Sequence, residues 1–287
     1  MRNFFSGPAA VALAAVLWST GGVFIKSIHA DPLLIAAVRT GIAGLVLAPF
    51  IRPKELKINI WMLLLVLSYG ALAAFVVMGT RWTSAANALA LQFTAPLWIF
   101  IAHVVIYRKI AYENLLPVVL IALGLGAILL EPASGTSALG NLIGAGSGIL
   151  FACTTVLFKK VGENNVIGSV SICNLLAAPF IFIFVPPGIG LAEIHVSDWM
   201  MLAYLGVFEM GAAYTLYSLG LRTTSAQNAT MIALLEPVLN PIWVFIFIGE
   251  IPTPYGMVGG TLILLGLISK IVLDVNQKNK PSEIAGK

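Results

Sequence analysis

Charge is what this chain of 287 residues has least of: only 10% is Asp, Glu, Lys or Arg, against roughly 25% in soluble domains. Fifty-nine per cent is hydrophobic. A water-soluble core cannot hide that much apolar surface, so lipid must be the solvent. Cysteine is scarce as well. Cys153 and Cys173 both lie in apolar stretches, outside any CxxC pair or Cys/His cluster. Neither a disulfide framework nor a zinc site is expected, and no cofactor or metal. HExxH, GxSxG and phosphate-loop motifs are missing too, which leaves an enzyme or a self-contained ATP-driven pump little sequence ground. The stretch from Met1 to Trp18 has a charged start and an apolar run, but no cleavage site followed by a soluble domain; it reads as a first span, not a signal peptide.

What the chain has is apolar runs of membrane length. A span needs about twenty mostly apolar residues. Ten candidates follow one another: Pro8–Ile28, Pro32–Ile51, Ile60–Thr80, Ser84–Tyr107, Asn114–Leu130, Gly140–Val161, Val166–Val185, Trp199–Leu221, Thr224–Gly249 and Pro254–Asp274. The connections are short, and the polar tail 276–287 reads as a disordered cytoplasmic segment. The net charge of +4 and pI near 9.1 need no nucleic acid to explain them. With the N-terminus in the cytoplasm, thirteen of the sixteen Lys and Arg fall on the inner side; Lys26 and Arg81 fall outside and Arg39 lies within a span. That bias predicts a multi-pass protein of the cell inner membrane with both termini cytoplasmic.

The sequence also repeats itself. Trp18 to Lys26 lies over Phe151 to Lys159 at an offset of 133, and Thr83 to Ala88 lies over Thr224 to Ala229 at 141. The second register also sets Pro96 over Pro237. Two halves are expected, residues 1–133 and 138–275, each with five spans. Five is odd, so the second half enters the membrane in the opposite sense. The predicted fold is an all-α membrane protein of ten transmembrane helices in two inverted five-helix repeats. Secondary transporters are built this way, with the substrate site near the midplane between the halves.

These features together resemble the drug/metabolite transporter superfamily, and its EamA-type branch in particular. The resemblance rests on the Trp-Ser-Thr stretch of span one, Arg39 in span two, Thr94-Ala95-Pro96 paired with Leu235-Glu236-Pro237, Gly249-Glu250 closing span nine, and Gly259, Gly260 and Gly266 in the last span. It implies a carrier, often an exporter of amino acids or other metabolites, with a central cavity open to one side at a time. One departure is that span four ends in Tyr107-Arg108-Lys109 where the second half has Gly249-Glu250.

Ionisable groups inside spans cost roughly 2.5–3.5 kcal/mol each and so mark candidate sites. Glu236 is ~18 Å into span nine at 1.5 Å per residue, on one winding face with Asn228 and Asn240. Pro237 and Pro241 kink that face. It reads as a cavity wall or as a structural acid tied to a neighbour. Glu209 is ~16 Å deep in span eight, close in sequence to Tyr214. It reads as a proton carrier, a binder of a substrate amine, or a donor to a tyrosine. Arg39, about 10 Å from the outer boundary, could grip a substrate carboxylate or pair with a membrane acid. Trp18 is the aromatic chosen as a site residue, beside Ser19, Thr20, Gly21 and Gly22; Tyr217 and Trp243 read as packing or lipid-facing residues. Asn87 and Gln92 are the polar candidates of span four. Gly140, Gly144 and Gly148 permit close helix packing in span six.

The expected function is secondary active transport, as an exporter, of a small polar metabolite such as an amino acid or amine, with the bilayer as environment and protons as the coupling ion. The competing classes are an ion or solute channel and an intramembrane enzyme built on Ser147 and His103.

Overall fold

The structure is a computed structural model that describes residues 7–52, 59–108, 112–131, 136–161, 166–221, 223–224 and 232–278. Among them there is no strand. The helices are α1 (Gly7–Ser19), α2 (Gly21–Ser27), α3 (Pro32–Leu47), α4 (Ile60–Trp82), α5 (Ala85–Gln92), α6 (Ala95–Tyr107), α7 (Leu115–Leu129), α8 (Thr136–Val161), α9 (Val166–Phe182), α10 (Val196–Tyr204), α11 (Ala213–Leu221), α12 (Leu235–Ile248) and α13 (Pro254–Lys278). They make the ten spans read from the sequence: α1–α2 form span one, α5–α6 span four, α10–α11 span eight, and α12 the described body of span nine. The last helix runs to Lys278, into the segment read as tail. Among the described residues, six spans are long and apolar enough to cross a membrane by themselves, and Leu115–Leu129, Ile167–Phe182 and Leu235–Ile248 are shorter apolar helices.

Local chemistry explains the ends. Asp31 caps α3, accepting from the amides of Leu33 and Leu34 just ahead of Pro32 at the first helical position. Asn59 caps α4 through Met62 N, and Ser84 caps α5 through Asn87 N. Spans four and nine both stop on a left-handed residue, Arg108 at φ 52° and Gly249 at φ 76°. Glycine adopts that backbone freely and arginine does not.

The internal twofold shows in the packing. Span three lies on span six, and span eight on span one. Span three also meets span seven, as span eight meets span two. Spans two and seven pair with each other, as do spans five and ten. Exchanging each span for the one five further along returns the same set. The match holds residue by residue. A methyl on Gly124 would press on the carbonyl of Gly259 and on Ile263, and one on Gly266 would press on the carbonyl of Pro117 and on Ile121. Gly140 seats against the backbone of Trp82 and Thr83, and Gly7 against Thr223, Thr224 and the carbonyl of Gly220. Contacts descend span ten as they climb span five, so these mates run antiparallel and the repeats are inverted. Bare glycine at these crossings lets backbones approach closely, which supplies van der Waals packing where lipid gives no hydrophobic drive.

Candidate functional site

Among the described residues, spans one, four, eight and nine are interrupted along their lengths, span nine at Leu234, and the candidate residues gather at the interruptions of spans one, eight and nine. Span one breaks at Thr20. The hydroxyls of Ser19 and Thr20 bond back to the carbonyls of Val16 and Leu17, each at 2.7 Å, which competes with the helix ladder. Two glycines follow because neighbours occupy the space beside them. A Cβ on Gly21 would sit 2.9 Å from Glu209 Oε1, and one on Gly22 would sit 2.7 Å from Asn240 Nδ2. Span eight is wound as a π-helix over Leu205–Ala212, the segment that carries Glu209; such bulges recur at functional sites. Span four breaks at Phe93 and Thr94, ahead of Pro96.

Arg39 and Glu209 meet here. Arg39 Nη1 donates to Oε1 at 3.1 Å and to Oε2 at 2.9 Å, while Nη2 reaches the carbonyl of Ala73 at 3.4 Å. Arg39 is 2% exposed and Glu209 8%. Of the two readings of Arg39, the geometry is that of the internal pair. Glu209 donates to no tyrosine; its carboxylate is occupied by the guanidinium. The Arg39 Nε is left buried without a bonding partner.

The aromatic lining stands next to the pair. Trp18 meets Tyr214 edge-on at 5.1 Å and Tyr217 at 5.2 Å. Tyr214 lies within electrostatic range of both Glu209 and Glu236. Glu236, in the first turn of α12, is half-buried. It makes none of the hydrogen bonds or ion pairs found among the described residues. One turn on, Asn240 Nδ2 donates to the carbonyl of Ser19 at 2.9 Å, and Trp243 Nε1 donates to Ser19 Oγ at 3.0 Å. Thr20 Oγ1 and Tyr204 Oη are 3.0 Å apart. The site therefore joins Trp18, Arg39, Glu209, Tyr214 and Glu236 around the span-one break.

Tyr217, Trp243 and Asn240 complete the cluster, and the sequence reading left them off the site. A signal existed: Asn240 and Trp243 are four and seven residues beyond Glu236, on the same helical face. Two other candidates sit apart. Asn87 donates to Glu131 at 2.9 Å, at the end of the bundle that carries Lys26. Gln92 ends α5 at the span-four break, and no hydrogen bond joins it to the Arg39 cluster. Asn228 lies outside the described residues. Of the imagined enzyme dyad, Ser147 donates to the carbonyl of Gly144 at 2.6 Å, and exposed His103 packs on Tyr107.

The Lys26 end is tied by a second polar network. Lys26 Nζ lies 2.7 Å from Glu250 Oε2 and donates to the carbonyl of Thr83 at 2.7 Å. Glu250 Oε1 accepts from Ala85 N, the first amide of α5, at 2.7 Å. Arg81 Nη1 reaches the carbonyls of Ile25, Lys26 and Ile28. Thr83 donates to Asn141 at 2.5 Å.

Comparison with known proteins agrees with this architecture. The EamA-like transporter family profile matches residues 5–130 and again 138–270. A transporter of Archaeoglobus fulgidus is 26% identical over 275 residues, covering 91% of this chain and 95% of that one. The threonine/homoserine exporter RhtA of Escherichia coli K12 is 24% identical over 292 residues, covering 96% of each. A solved crystal structure shares the fold with a TM-score of 0.61 at 18% identity, covering 93% of this chain and 97% of its own.

Proposed function

The chain belongs to the EamA-like transporter family, and from that premise we propose that it is a secondary active exporter of a small polar metabolite, an amino acid or amine, working by alternating access and exchanging substrate for protons. The observation that carries this reading is Glu236. It is a half-buried acid within a span, without a bonded partner among the described residues, beside an Arg39–Glu209 pair whose charges cancel. The site thus holds one unmatched negative position among Trp18, Tyr214 and Tyr217. A substrate ammonium fits it, through the carboxylate and through cation–π attraction to the rings. The same carboxylate can carry a proton when the substrate has left, which gives a route to antiport. The likeness to a threonine/homoserine exporter supports an amino-acid cargo. Arg39 is engaged by Glu209, so a substrate carboxylate would fall to other donors of the site.

Counterflow in proteoliposomes tests this. Vesicles loaded with one amino acid or amine should take up its labelled form with saturation. A current or flux that rises linearly with concentration would instead indicate a channel. A thermal-shift screen chooses the cargo, since a ligand at a hundred times its dissociation constant adds about 2.7 kcal/mol.

The proposal includes the orientation read from the basic residues, in the cell inner membrane with both termini cytoplasmic. A cysteine at exposed Ala192 should then react with membrane-impermeant reagents in intact cells, and one at Lys278 only with permeant ones. Labelling of position 278 from outside would overturn that orientation.

A further inference from the structure

The two ends of the bundle are not equivalent, although the repeat makes their backbones so. At the Lys26 end, span one, span four and span nine meet in one polar knot. The Lys26–Glu250 pair is 15% and 24% exposed at its side chains, and each partner is also bound to span three or four, Lys26 through Thr83 O and Glu250 through Ala85 N. Registers of 133 and 141 convert Lys26 into Lys159 and Glu250 into Lys109. Where one end has an acid and a base, the other has two bases.

We propose that Lys26 and Glu250 form a latch that holds the Lys26 end shut. The inference rests on the alternating-access reading and adds what sets its resting balance. With the orientation proposed above, the latch faces outward.

Spin labels at His29→Cys and Ile251→Cys, in a Cys153→Ala, Cys173→Ala background, report the separation of spans one and nine at the latch. Glu250→Gln keeps an acceptor for Ala85 N but removes the charge. It should raise the population of the longer distance about two- to fivefold, as expected for a partly exposed pair. Lys26→Gln should do the same, and the double variant should add nothing further. The latch is overturned if both single variants stay monodisperse and leave the distance distribution as it was, or if their effects simply multiply in the double variant. The distances need no substrate, so a shift in labels without counterflow would keep the latch and reject the transporter reading.

Discussion

Span two meets span eight, and span seven meets span three, in what the repeat makes the same interface twice. The first copy is held by a buried ion pair, Arg39 with Glu209. The register of spans two and seven, which sets Gly41–Ala178 on Gly44–Leu175, places Cys173 where the other half has Arg39. The register of spans three and eight places Ser68 where the other has Glu209. Ser68 shares a hydrogen bond with Thr154 across to span six at 2.8 Å. One residue further along, Tyr69 Oη donates to Asn174 Oδ1 at 3.2 Å and holds spans three and seven together. The same helices can therefore be joined by neutral groups. Ion pairs taken out of water are often no more stable than apolar replacements, so fold stability does not call for the charged version. What it adds is an acid and a base at mid-depth in one of the two interfaces only, beside the break of span one.

Breaking the charged copy should give the largest effect. Arg39→Ala leaves Glu209 buried without its partner, and removal of one member of such a pair costs about 3–5 kcal/mol. Thermal unfolding of the purified protein in detergent should fall accordingly, and expression with it. Adding Glu209→Gln should restore part of the loss, because the stranded charge is gone. If Arg39→Ala unfolds at the parent temperature but loses ligand binding, Arg39 is a substrate residue and not half of a pair. In the neutral copy, Tyr69→Phe should cost about 1 kcal/mol, the usual net value of one hydrogen bond.

The glycine crossings sharpen the same contrast. A methyl on Gly140 would lie 2.5 Å from Trp82 C and 2.6 Å from Thr83 N. Backbone cannot give way cheaply, so Gly140→Ala should cost about 1–3 kcal/mol. Its repeat mate Gly7 faces two threonine hydroxyls, which can rotate, with the carbonyl of Gly220 at 3.0 Å. Gly7→Ala should cost less, and equal losses in thermal unfolding would mean that the two crossings are equally rigid.

Much of this was legible in the sequence. Ten apolar runs gave the spans, and the two offsets gave the inversion, because five spans per half leave no alternative. The basic residues clustered on one side, and the mid-span acids marked the site region. The partners were harder to read. Arg39 and Glu209 are 170 residues apart, and no periodicity within one helix says which helix it will face. The π turn over Leu205–Ala212 was hidden as well, because Gly206 and Gly211 in LGVFEMGA signal close packing or an opening but do not specify a π winding. Tyr217 and Trp243 read as packing because aromatics at depth usually pack; their contacts with Trp18 and Ser19 beside the span-one break place them at the site. Asn87 went the other way. Its repeat with Asn228 drew attention, yet it is tied to Glu131 at the Lys26 end.

A smaller effect is expected where spans four and nine end. Arg108 and Gly249 are repeat mates, and both are left-handed. Arg108→Gly should raise stability by about 1 kcal/mol, since the strain of a side chain in that region disappears. Gly249→Ala should lower it by a similar amount. A pair of thermal unfolding curves decides this, and shifts of the same sign would mean that neither cap is governed by its backbone angle.

The smallest effect on stability should come with the largest effect on transport, at Glu236. Its register mate is Ala95, buried at the start of α6, so the first half manages the same turn without an acid. Among the described residues Glu236 has no bonded partner to lose. Glu236→Gln keeps size and hydrogen-bonding capacity and removes only the ability to ionise, so the unfolding temperature should stay within the ~0.5 kcal/mol typical of substitutions away from critical contacts. If Glu236 exchanges a proton for substrate, the variant should lose proton-driven accumulation in vesicles. Any exchange it retains should be insensitive to pH, because the group that linked the two fluxes is gone. Glu209→Gln differs in kind: it strands Arg39 and so destabilises the fold as well as altering transport. The two acids are thus separable in one experiment, by plotting transport against unfolding temperature. A Glu236→Gln protein that transports with the parent pH profile removes Glu236 from coupling. A Glu236→Gln protein that loses stability to the same extent as Glu209→Gln removes the distinction between them and returns Glu236 to a structural role.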